Sequence, residues 1–467
     1  MDDSRINSFE SEGDNMSSDI ESKFSEKLGR SNEVLERAKK VLLSPVATGP
    51  FRAPRAVVFV KEGKGGRIKD LDGNEYVDVT MAYGPLILGH SHPVVVDAVE
   101  KLVRRGTVYA IAHENEVRMA EILVEAIPCA ERVAFANSGT EATMHAMKVA
   151  RARTGKDKIA KFEGGYHGVH DYAQVSSLFS VGGGTIEDPL SVPDTRGIPQ
   201  AAVDQVMVLS YNRPESIEKI RKHKDELAAV IIEPVPSALP IDMGDFLRQL
   251  RKVTRECGVL LIFDEVISGF RLAYGGAQEY FGVVPDMATY GKIIGGGFPI
   301  GAIAGSVDAL QPLVTTGDFF QDIQEKCAII GTFSGNPIST GVGAAVLKYL
   351  GDHPEIYDYI NSRAARIKRE VQEFCKDNEF PLQLFGLGSW FVPHFHWGKA
   401  ENPRDLLSPE GWAKGTALGH YMRYNKVYMP DLHTVFVSAA HTDEDIELII
   451  EGFKKSLMAM KRDGILE

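Results

Sequence analysis

The sequence predicts an α/β protein in which a large domain, built on a mostly parallel sheet, is followed by a smaller α+β domain. A chain of 467 residues is longer than one hydrophobic core usually grows. Between about residues 84 and 335, apolar runs alternate with helical patterns, as in LAAVIIE, FLRQLRKVTREC and VLLIFDE, which is typical of parallel βαβ units. After about residue 337 the pattern changes to a long helix, charged helical stretches and short strands such as VFVSAA.

We expect four segments along the chain. Residues 1–25 are acidic and rich in serine, a composition typical of a disordered arm. Residues 26–83 form an N-terminal segment that we expect to pack with the small domain. A helical pattern runs from about Phe24 to Leu43, and a hairpin is predicted from Arg67 to Val79. Residues 84–336 are expected to form the large domain, and residues 337–467 the small domain.

Composition limits the classes of function. The chain has 52 Lys and Arg against 64 Asp and Glu, a net charge of −12, and no basic run interleaved with aromatic residues, so nucleic acid is not an expected partner. Its four cysteines form no CxxC pair, which favours a reducing compartment. The start has no apolar region typical of a signal peptide, and no later run approaches the roughly 20 residues of a membrane helix. We therefore expect a cytoplasmic protein that acts on small molecules.

Two charged residues point to a cofactor. Asp264 ends the apolar run VLLIFDE, and a carboxylate there can keep a pyridinium nitrogen protonated. Lys292 lies among small and apolar residues in TYGKIIGGGFPIGA, where a lowered pKa would let it carry an aldehyde as a Schiff base. These are the two protein groups that pyridoxal phosphate chemistry needs. The pairing therefore predicts an enzyme that acts on amino groups.

Other polar residues follow strand-like runs, where ligands bind in open parallel sheets. Glu233 ends LAAVIIE, although it and Asp264 have the alternative of capping the turns that follow. In RVAFANSGTEATM a strand leads into a helix whose first amides can hold a phosphate, with further donors at Ser138, Gly139 and Thr140. A capping box between Ser138 and Glu141 is the alternative, and it is compatible with phosphate binding.

Two weaker signals lie in glycine-containing turns. Tyr166 and His167 in KFEGGYHG offer an aromatic ring that can stack on a flat cofactor, although aromatic residues after strands usually belong to the core. Thr332 in GTFSGNP is suited to a phosphate oxygen.

Two other classes of site share part of their pattern with this sequence. A P-loop requires GK[ST] after its glycines, whereas Lys292 precedes its glycine run. The pairs His90 with His92 and His394 with His396 have the HxH spacing of some metal-dependent hydrolases. No third ligand accompanies either pair, so a hydrolase is a remote alternative and no metal is expected.

Taken together, NSGTEATM, KFEGGYHG, IIEPV, FDEVISGFR, GKIIGGGFPIGA and GTFSGNP resemble, in order and spacing, the class III (fold type I) pyridoxal-phosphate aminotransferases and their glutamate-1-semialdehyde aminomutase-like branch. The resemblance implies that Lys292 is the Schiff-base lysine and Asp264 the partner of the pyridine nitrogen. It also implies a homodimer in which Thr332 reaches the neighbour's phosphate. The other implied cofactor contacts are Ser138, Gly139 and Thr140 on the phosphate, Val266 and Tyr166 on opposite faces of the ring, His167, and Glu233 near the phenolic oxygen.

The departures from that branch concern the substrate. AYGP replaces SWGP, which puts Tyr83 in place of a tryptophan, and Ala47 replaces an arginine that is displaced to Arg52 or Arg55. His433 stands where a glutamate is expected. We therefore predict ping-pong transfer of an amino group between an amine or amino acid donor and a carbonyl acceptor. The alternative is glutamate-1-semialdehyde 2,1-aminomutase.

Overall fold

Three sheets organise the chain in the computed structural model, which describes residues 18–45, 56–178, 180–429 and 434–466. The strands are β1 (Val60–Lys64), β2 (Arg67–Asp70), β3 (Glu75–Asp78), β4 (Arg132–Ala136), β5 (Lys158–Phe162), β6 (Val206–Leu209), β7 (Leu227–Ile232), β8 (Leu260–Asp264), β9 (Met287–Tyr290), β10 (Gly301–Gly305), β11 (Leu382–Leu387), β12 (Trp390–Phe395), β13 (Val427–Tyr428) and β14 (Val435–Phe436).

Helices cover the sheets and connect their strands. They are α1 (Ser18–Ser25), α2 (Gly29–Ala38), α3 (Pro93–Val103), α4 (Glu114–Ala126), α5 (Gly139–Thr154), α6 (Gln200–Asp204), α7 (Pro214–Lys222), α8 (Gly244–Cys257), α9 (Gly276–Phe281), α10 (Phe319–Glu325), α11 (Pro337–Asp352), α12 (Glu355–Asp377), α13 (Pro409–Tyr424) and α14 (Asp443–Arg462). Across the described ranges, no helix combines the length and apolar composition needed to cross a bilayer.

The central sheet has the order β4-β10-β9-β8-β7-β5-β6. From β9 to β6 each neighbouring pair is parallel, whereas β10 runs antiparallel to β9 and β4. All six residues of β7 are buried, as expected for a strand covered on both faces. The crossover helix α8 turns Phe246, Leu247 and Leu250 into the core. The sheet confirms the predicted α/β class and sets the carboxyl ends of β7 and β8 side by side.

The N-terminal segment is joined to the C-terminal part of the chain through a second sheet, β1-β2-β3-β13. Strands β2 and β3 form the predicted hairpin, and β13 pairs with β3 in parallel, with Val427 opposite Val77. A third sheet, β11-β12-β14, lies in the C-terminal part. The predicted domain limits stay predictions.

The expected disordered arm is wrong for its last residues, because Ser18–Ser25 form α1. Ile20, Phe24 and Leu28, spaced four residues apart, are all buried, and α1 packs on α13. This apolar stripe supplies the burial that the polar composition concealed. Residues 1–17 lie outside the described ranges.

Candidate active site

Asp264 is buried at the carboxyl end of β8. Its Oδ2 lies 2.7 Å from Nδ1 of His167, and its Oδ1 accepts hydrogen bonds from Thr289 Oγ1 and the Val266 amide, both at 3.1 Å. Burial lowers the pKa of His167, although the bond to Asp264 opposes this. A neutral His167 donates from Nδ1, because an ionised carboxylate only accepts hydrogen bonds. Asp264 is therefore held in one orientation by three hydrogen bonds.

Glu233 is the second carboxylate at this edge, directly after β7. It is 3% exposed, and its Oε2 accepts hydrogen bonds from the Tyr166 amide at 3.0 Å and Ser237 Oγ at 3.2 Å. Burial, and next the charge of Asp264, raise its pKa to about 8. The two carboxylates predicted from strand ends thus lie at one edge of the sheet.

Lys292 follows β9, the strand on the other side of β8. It opens a tight turn, Lys292–Gly295, with φ of +49°. Burial lowers the pKa of its amine to about 8, while Glu233 and Asp264 raise it and Arg271 lowers it. Within the described ranges the amine makes no hydrogen bond or ion pair. The side chain is therefore free to form a covalent bond to a ligand.

The start of α5 offers unbonded amides beside this cluster. Ser138 Oγ accepts the Glu141 amide at 3.1 Å, whereas the Glu141 carboxylate accepts the amide of Asn137 at 2.8 Å. The reciprocal bond of the predicted capping box therefore forms one residue earlier than expected. The amides of Gly139 and Thr140, in the first helical turn, have no carbonyl to bond within the helix.

Close glycine contacts bring the helix start to the lysine turn. A Cβ on Gly139 would lie 3.0 Å from both γ-methyls of Val266, and one on Gly291 would lie 3.4 Å from Val266 Cγ1. A Cβ on Gly168, whose φ is +99°, would meet Thr140 Oγ1 at 2.5 Å. Val266 thus lies between the phosphate-binding candidate and the residue that precedes Lys292.

The two aromatic candidates, Tyr166 and His167, differ in their exposure to solvent. The Tyr166 side chain is 38% exposed, whereas His167 is 1% exposed. His167 therefore supports Asp264 from within the protein, a role that sequence reasoning missed when it offered this residue for stacking. The local signal was only a histidine after a glycine pair.

Thr332 is exposed and lies outside the buried cluster. Its neighbour Ser334 accepts a hydrogen bond from Asn137 Nδ2 at 3.3 Å, so the loop of Thr332 runs beside the start of α5. Among the substrate candidates, Tyr83 is half-buried with φ of +64°. The remaining candidates, Arg52, Arg55 and His433, lie outside the described residues, as does Ala47.

The histidine pairs have separate partners. His90 Nε2 lies 2.8 Å from Asp78 Oδ2, and His92 caps α3. His394 Nε2 lies 3.1 Å from the carbonyl of Ala238. In the part of the chain that the structure describes, no group of three or more His, Cys, Asp or Glu side chains is arranged to hold a metal ion.

Two further residues of this region were not singled out from the sequence. Thr289 fixes Asp264, and Arg271, in the quoted run FDEVISGFR, is buried with bonds to three separate segments. Neither position carried a signal of its own, because each depends on contacts between distant parts of the chain.

The arrangement fits pyridoxal 5'-phosphate. The Asp264 carboxylate is fixed, the Lys292 amine has no partner within the described ranges, and Gly139 at the start of α5 and Gly291 before Lys292 both approach Val266 closely. The aminotransferase class-III family model matches residues 50–455. The chain belongs to this family. It is a pyridoxal-phosphate-dependent enzyme with the fold type I architecture.

Relatives cover nearly the whole chain. Glutamate-1-semialdehyde 2,1-aminomutase of Methanothermobacter thermautotrophicus is 38% identical over 443 residues, which are 92% of this chain and 100% of that protein. An omega-transaminase from Sphaerobacter thermophilus is 35% identical with a TM-score of 0.86, covering 92% of this chain and 97% of that chain. A transaminase with PLP bound is 30% identical with a TM-score of 0.83, covering 93% and 98%.

Proposed function

We propose that this class III enzyme isomerises glutamate-1-semialdehyde as a 2,1-aminomutase. The observation that carries this is the 38% identity to a protein of that name over its entire length. The comparison favours this reaction, which the sequence offered as the alternative, over the predicted transfer between separate molecules. Both reactions move an amino group at the same cofactor.

The roles of the site residues follow from their surroundings. Bound pyridoxal phosphate supplies an electron sink for the bond broken at the substrate carbon. Lys292 would hold the cofactor as a Schiff base and, as a free neutral amine, would take a proton from one carbon atom and return it to another. Its lowered pKa supports both roles, because they require a neutral amine. Asp264, fixed by His167 and Thr289, holds a proton at the ring nitrogen.

The phosphate and the ring have separate partners. Ser138 and the amides of Gly139 and Thr140 bind the phosphate, since the helix start presents free donors. Val266 and Tyr166 would hold the ring of the cofactor, and Glu233 would interact with its phenolic oxygen. The position of Val266 against Gly139 and Gly291 supports this assignment.

A homodimer would complete the site with Thr332 from a neighbouring subunit. Thr332 is exposed, and its apolar neighbours Ile330 and Phe333 are 90% and 57% exposed. An apolar surface of this kind is stabilised when a partner covers it. The four cysteines are all free, which supports a reducing compartment such as the cytoplasm.

Intermolecular transamination is the second candidate. Tyr83 replaces the tryptophan expected in the aminomutase-like branch, and Ala47 and His433 replace an arginine and a glutamate. Loss of an arginine–carboxylate bond without replacement weakens binding of an acidic substrate by roughly 1.5–3 kcal/mol. The 35% identity to an omega-transaminase over nearly its whole length supports the same candidate.

One experiment separates the two reactions. Purified holoenzyme is given glutamate-1-semialdehyde alone, or amine donors together with pyruvate or 2-oxoglutarate, with Lys292→Ala as the inactive control. Isomerisation without a second substrate supports the aminomutase. Efficient transfer to a keto acid, with no isomerisation, would overturn that proposal and establish the transaminase. If Lys292→Ala kept the activity of the unmodified enzyme, both proposed functions would be contradicted.

A further inference from the structure

A run of left-handed backbone precedes the large sheet. Met81, Ala82 and Tyr83 have φ of +43°, +55° and +64°, and Gly84 follows at +111°. Each non-glycine residue in this region costs roughly 1–2 kcal/mol, and such residues normally occur singly. A turn of three therefore persists only where surrounding contacts hold it.

Contacts hold the turn at its beginning. The Asp78 carboxylate accepts hydrogen bonds from the Thr80 amide at 2.8 Å and from Thr80 Oγ1 at 2.7 Å. Its other oxygen lies 2.8 Å from His90 Nε2. These bonds fix the residue before the first left-handed position, but they do not reach Tyr83 or Gly84.

Arg271 holds the end of the turn. Its Nη2 donates to the Gly84 carbonyl at 2.6 Å, and its Nη1 donates to Ser389 Oγ at 3.1 Å and the Val437 carbonyl at 3.4 Å. The guanidinium also lies 5.0 Å from the Phe436 ring centroid. One planar fork thus ties the turn to two segments of the C-terminal part, which the point charge of a lysine cannot do.

The charge of Arg271 is poorly compensated. The side chain is 1% exposed, and no carboxylate of residues 18–45, 56–178, 180–429 or 434–466 forms an ion pair with it. Its Nε has no hydrogen-bond partner in the same ranges. Burial of a charge without an opposite charge costs several kcal/mol, and apolar residues often stabilise such positions better. Stability alone therefore does not explain an arginine here.

The turn and Arg271 both adjoin the lysine turn. The charge of Arg271 acts on Lys292 and lowers its pKa. Leu86, two residues after Gly84, lies 3.2 Å from the position of a Cβ on Gly297, in the glycine run that follows Lys292. A displacement of Gly84 would therefore move Leu86 against the glycine run that follows Lys292.

We propose that Arg271 is a positioning residue that holds the left-handed turn Met81–Gly84, and with it Tyr83, in the geometry that the reaction requires. The inference rests on the proposed function only in giving Tyr83 a place at the substrate. The proposed action of Arg271 runs through backbone geometry, and Arg271→Lys, which keeps the positive charge, separates it from the electrostatic effect on Lys292.

Hydrogen exchange tests the structural half without any substrate. The amides of Tyr83 and Gly84 donate to the Thr80 and Met81 carbonyls at 2.8 and 3.0 Å. In holoenzyme carrying Arg271→Met, exchange at these two amides should rise at least tenfold, while exchange in β7 and β8 stays as in the unmodified enzyme. Arg251→Met is the matched control, because it removes a guanidinium that is 13% exposed and pairs with Asp286 at 2.8 Å. Unchanged exchange at the turn in Arg271→Met would overturn the proposal.

A double-mutant cycle tests the link to the reaction, using whichever reaction the unmodified enzyme catalyses. Arg271→Met should lower kcat/KM roughly 100-fold, a loss typical of misplaced reacting groups. Tyr83→Ala alone should also lower kcat/KM. In a chain that already carries Arg271→Met, the further loss of kcat/KM caused by Tyr83→Ala should be less than threefold. The same Tyr83→Ala should keep its full effect when added to Arg251→Met. Additive losses with Arg271→Met, or no effect of Tyr83→Ala alone, would overturn the proposal.

Arg271→Lys covers the case in which Arg271→Met does not fold. It keeps the charge but not the fork, so it should show the same raised exchange and the same coupling to Tyr83. Full activity and native exchange in Arg271→Lys would contradict the proposal. Absence of isomerase activity in the unmodified enzyme would refute the proposed function and leave the exchange result to decide the role of Arg271.

Discussion

His167 Nδ1 lies 2.7 Å from Asp264 Oδ2, although the two residues are 97 positions apart in the sequence. The histidine approaches from the loop after β5 and the aspartate from the end of β8. Because the imidazole is buried and its pKa is lowered, it acts as a fixed neutral donor to the Asp264 carboxylate. Asp264 consequently keeps one orientation.

Replacement of this donor should slow the reaction without removing the cofactor. His167→Phe leaves Asp264 Oδ2 without its bond, and loss of a bond to a charged group of ~1.5–3 kcal/mol corresponds to roughly a ten- to hundredfold lower kcat. The control is His170→Phe, because His170 makes a 3.4 Å contact with Thr143 Oγ1 instead. Equal losses in both variants, measured by steady-state kinetics on cofactor-loaded protein, would show that the bond to Asp264 is unimportant.

Lys292 should be the only lysine that binds the cofactor covalently. Borohydride reduction of the holoenzyme followed by peptide mapping should place the label on Lys292, and Lys292→Ala should lose the label and turnover. Lys161 is the matched comparison, because burial also lowers its pKa to about 8. Its amine, however, donates to the Ala173 and Val175 carbonyls, so Lys161→Met should retain the label. A label on any other lysine would refute the assignment.

The pH dependence of cofactor attachment should follow the Lys292 amine. Attachment needs the neutral amine, so its rate to apoprotein should rise with pH and level off above a pKa of about 8. Negative charge on Glu233 favours the ammonium form, so Glu233→Gln should lower the pKa and move the rise to lower pH. Glu265→Gln is the control, since the Glu265 carboxylate bonds to Ser268 and the Ala277 amide. A rise that moves to higher pH in Glu233→Gln would contradict this prediction.

Glycine at position 168 should matter more than its backbone angle alone requires. Gly168→Ala combines φ of +99° with a Cβ 2.5 Å from Thr140 Oγ1, whereas Gly155→Ala has φ of +68° and nothing within 4 Å. Gly155→Ala should lower the free energy of unfolding by about 1 kcal/mol. Gly168→Ala should lower it further and weaken cofactor binding, measured by denaturant unfolding and cofactor titration. Equal losses of unfolding free energy and equal cofactor affinities in the two variants would show that the Thr140 side chain moves away from the added methyl group without cost.

Complementation should reveal whether Thr332 acts across a subunit interface. Lys292→Ala and Thr332→Ala subunits are inactive or impaired separately, but a mixed dimer would contain one site with both native residues. Equal mixing should therefore give roughly one quarter of the native activity, because about half of the dimers are mixed and each has one native site. Activity no higher than the average of the two parents would mean that Thr332 serves its own subunit, and sedimentation as an active monomer would refute the dimer.

Local patterns were sufficient for much of the fold, and they selected Glu233, Asp264 and Lys292 as candidate site residues. The apolar runs that end at Glu233 and Asp264 identified parallel strands, and strand ends at one edge of a sheet meet for geometric reasons alone. Lys292 was identified by its apolar and glycine-rich surroundings. The prediction that residues 1–25 are disordered was wrong for α1, because the polar composition concealed apolar residues spaced four apart.

What the sequence determined by itself was therefore the α/β class and the family, together with the choice of Lys292 and Asp264 as site candidates, since these depend on local periodicity and ordered motifs. Only the tertiary structure decided that His167 bonds to Asp264, that Val266 lies between Gly139 and Gly291, and that Arg271 donates to the carbonyl of Gly84. The physical reason is that hydrogen bonds and close contacts between distant segments depend on how strands and helices pack, and a single sequence carries no record of which side chains meet.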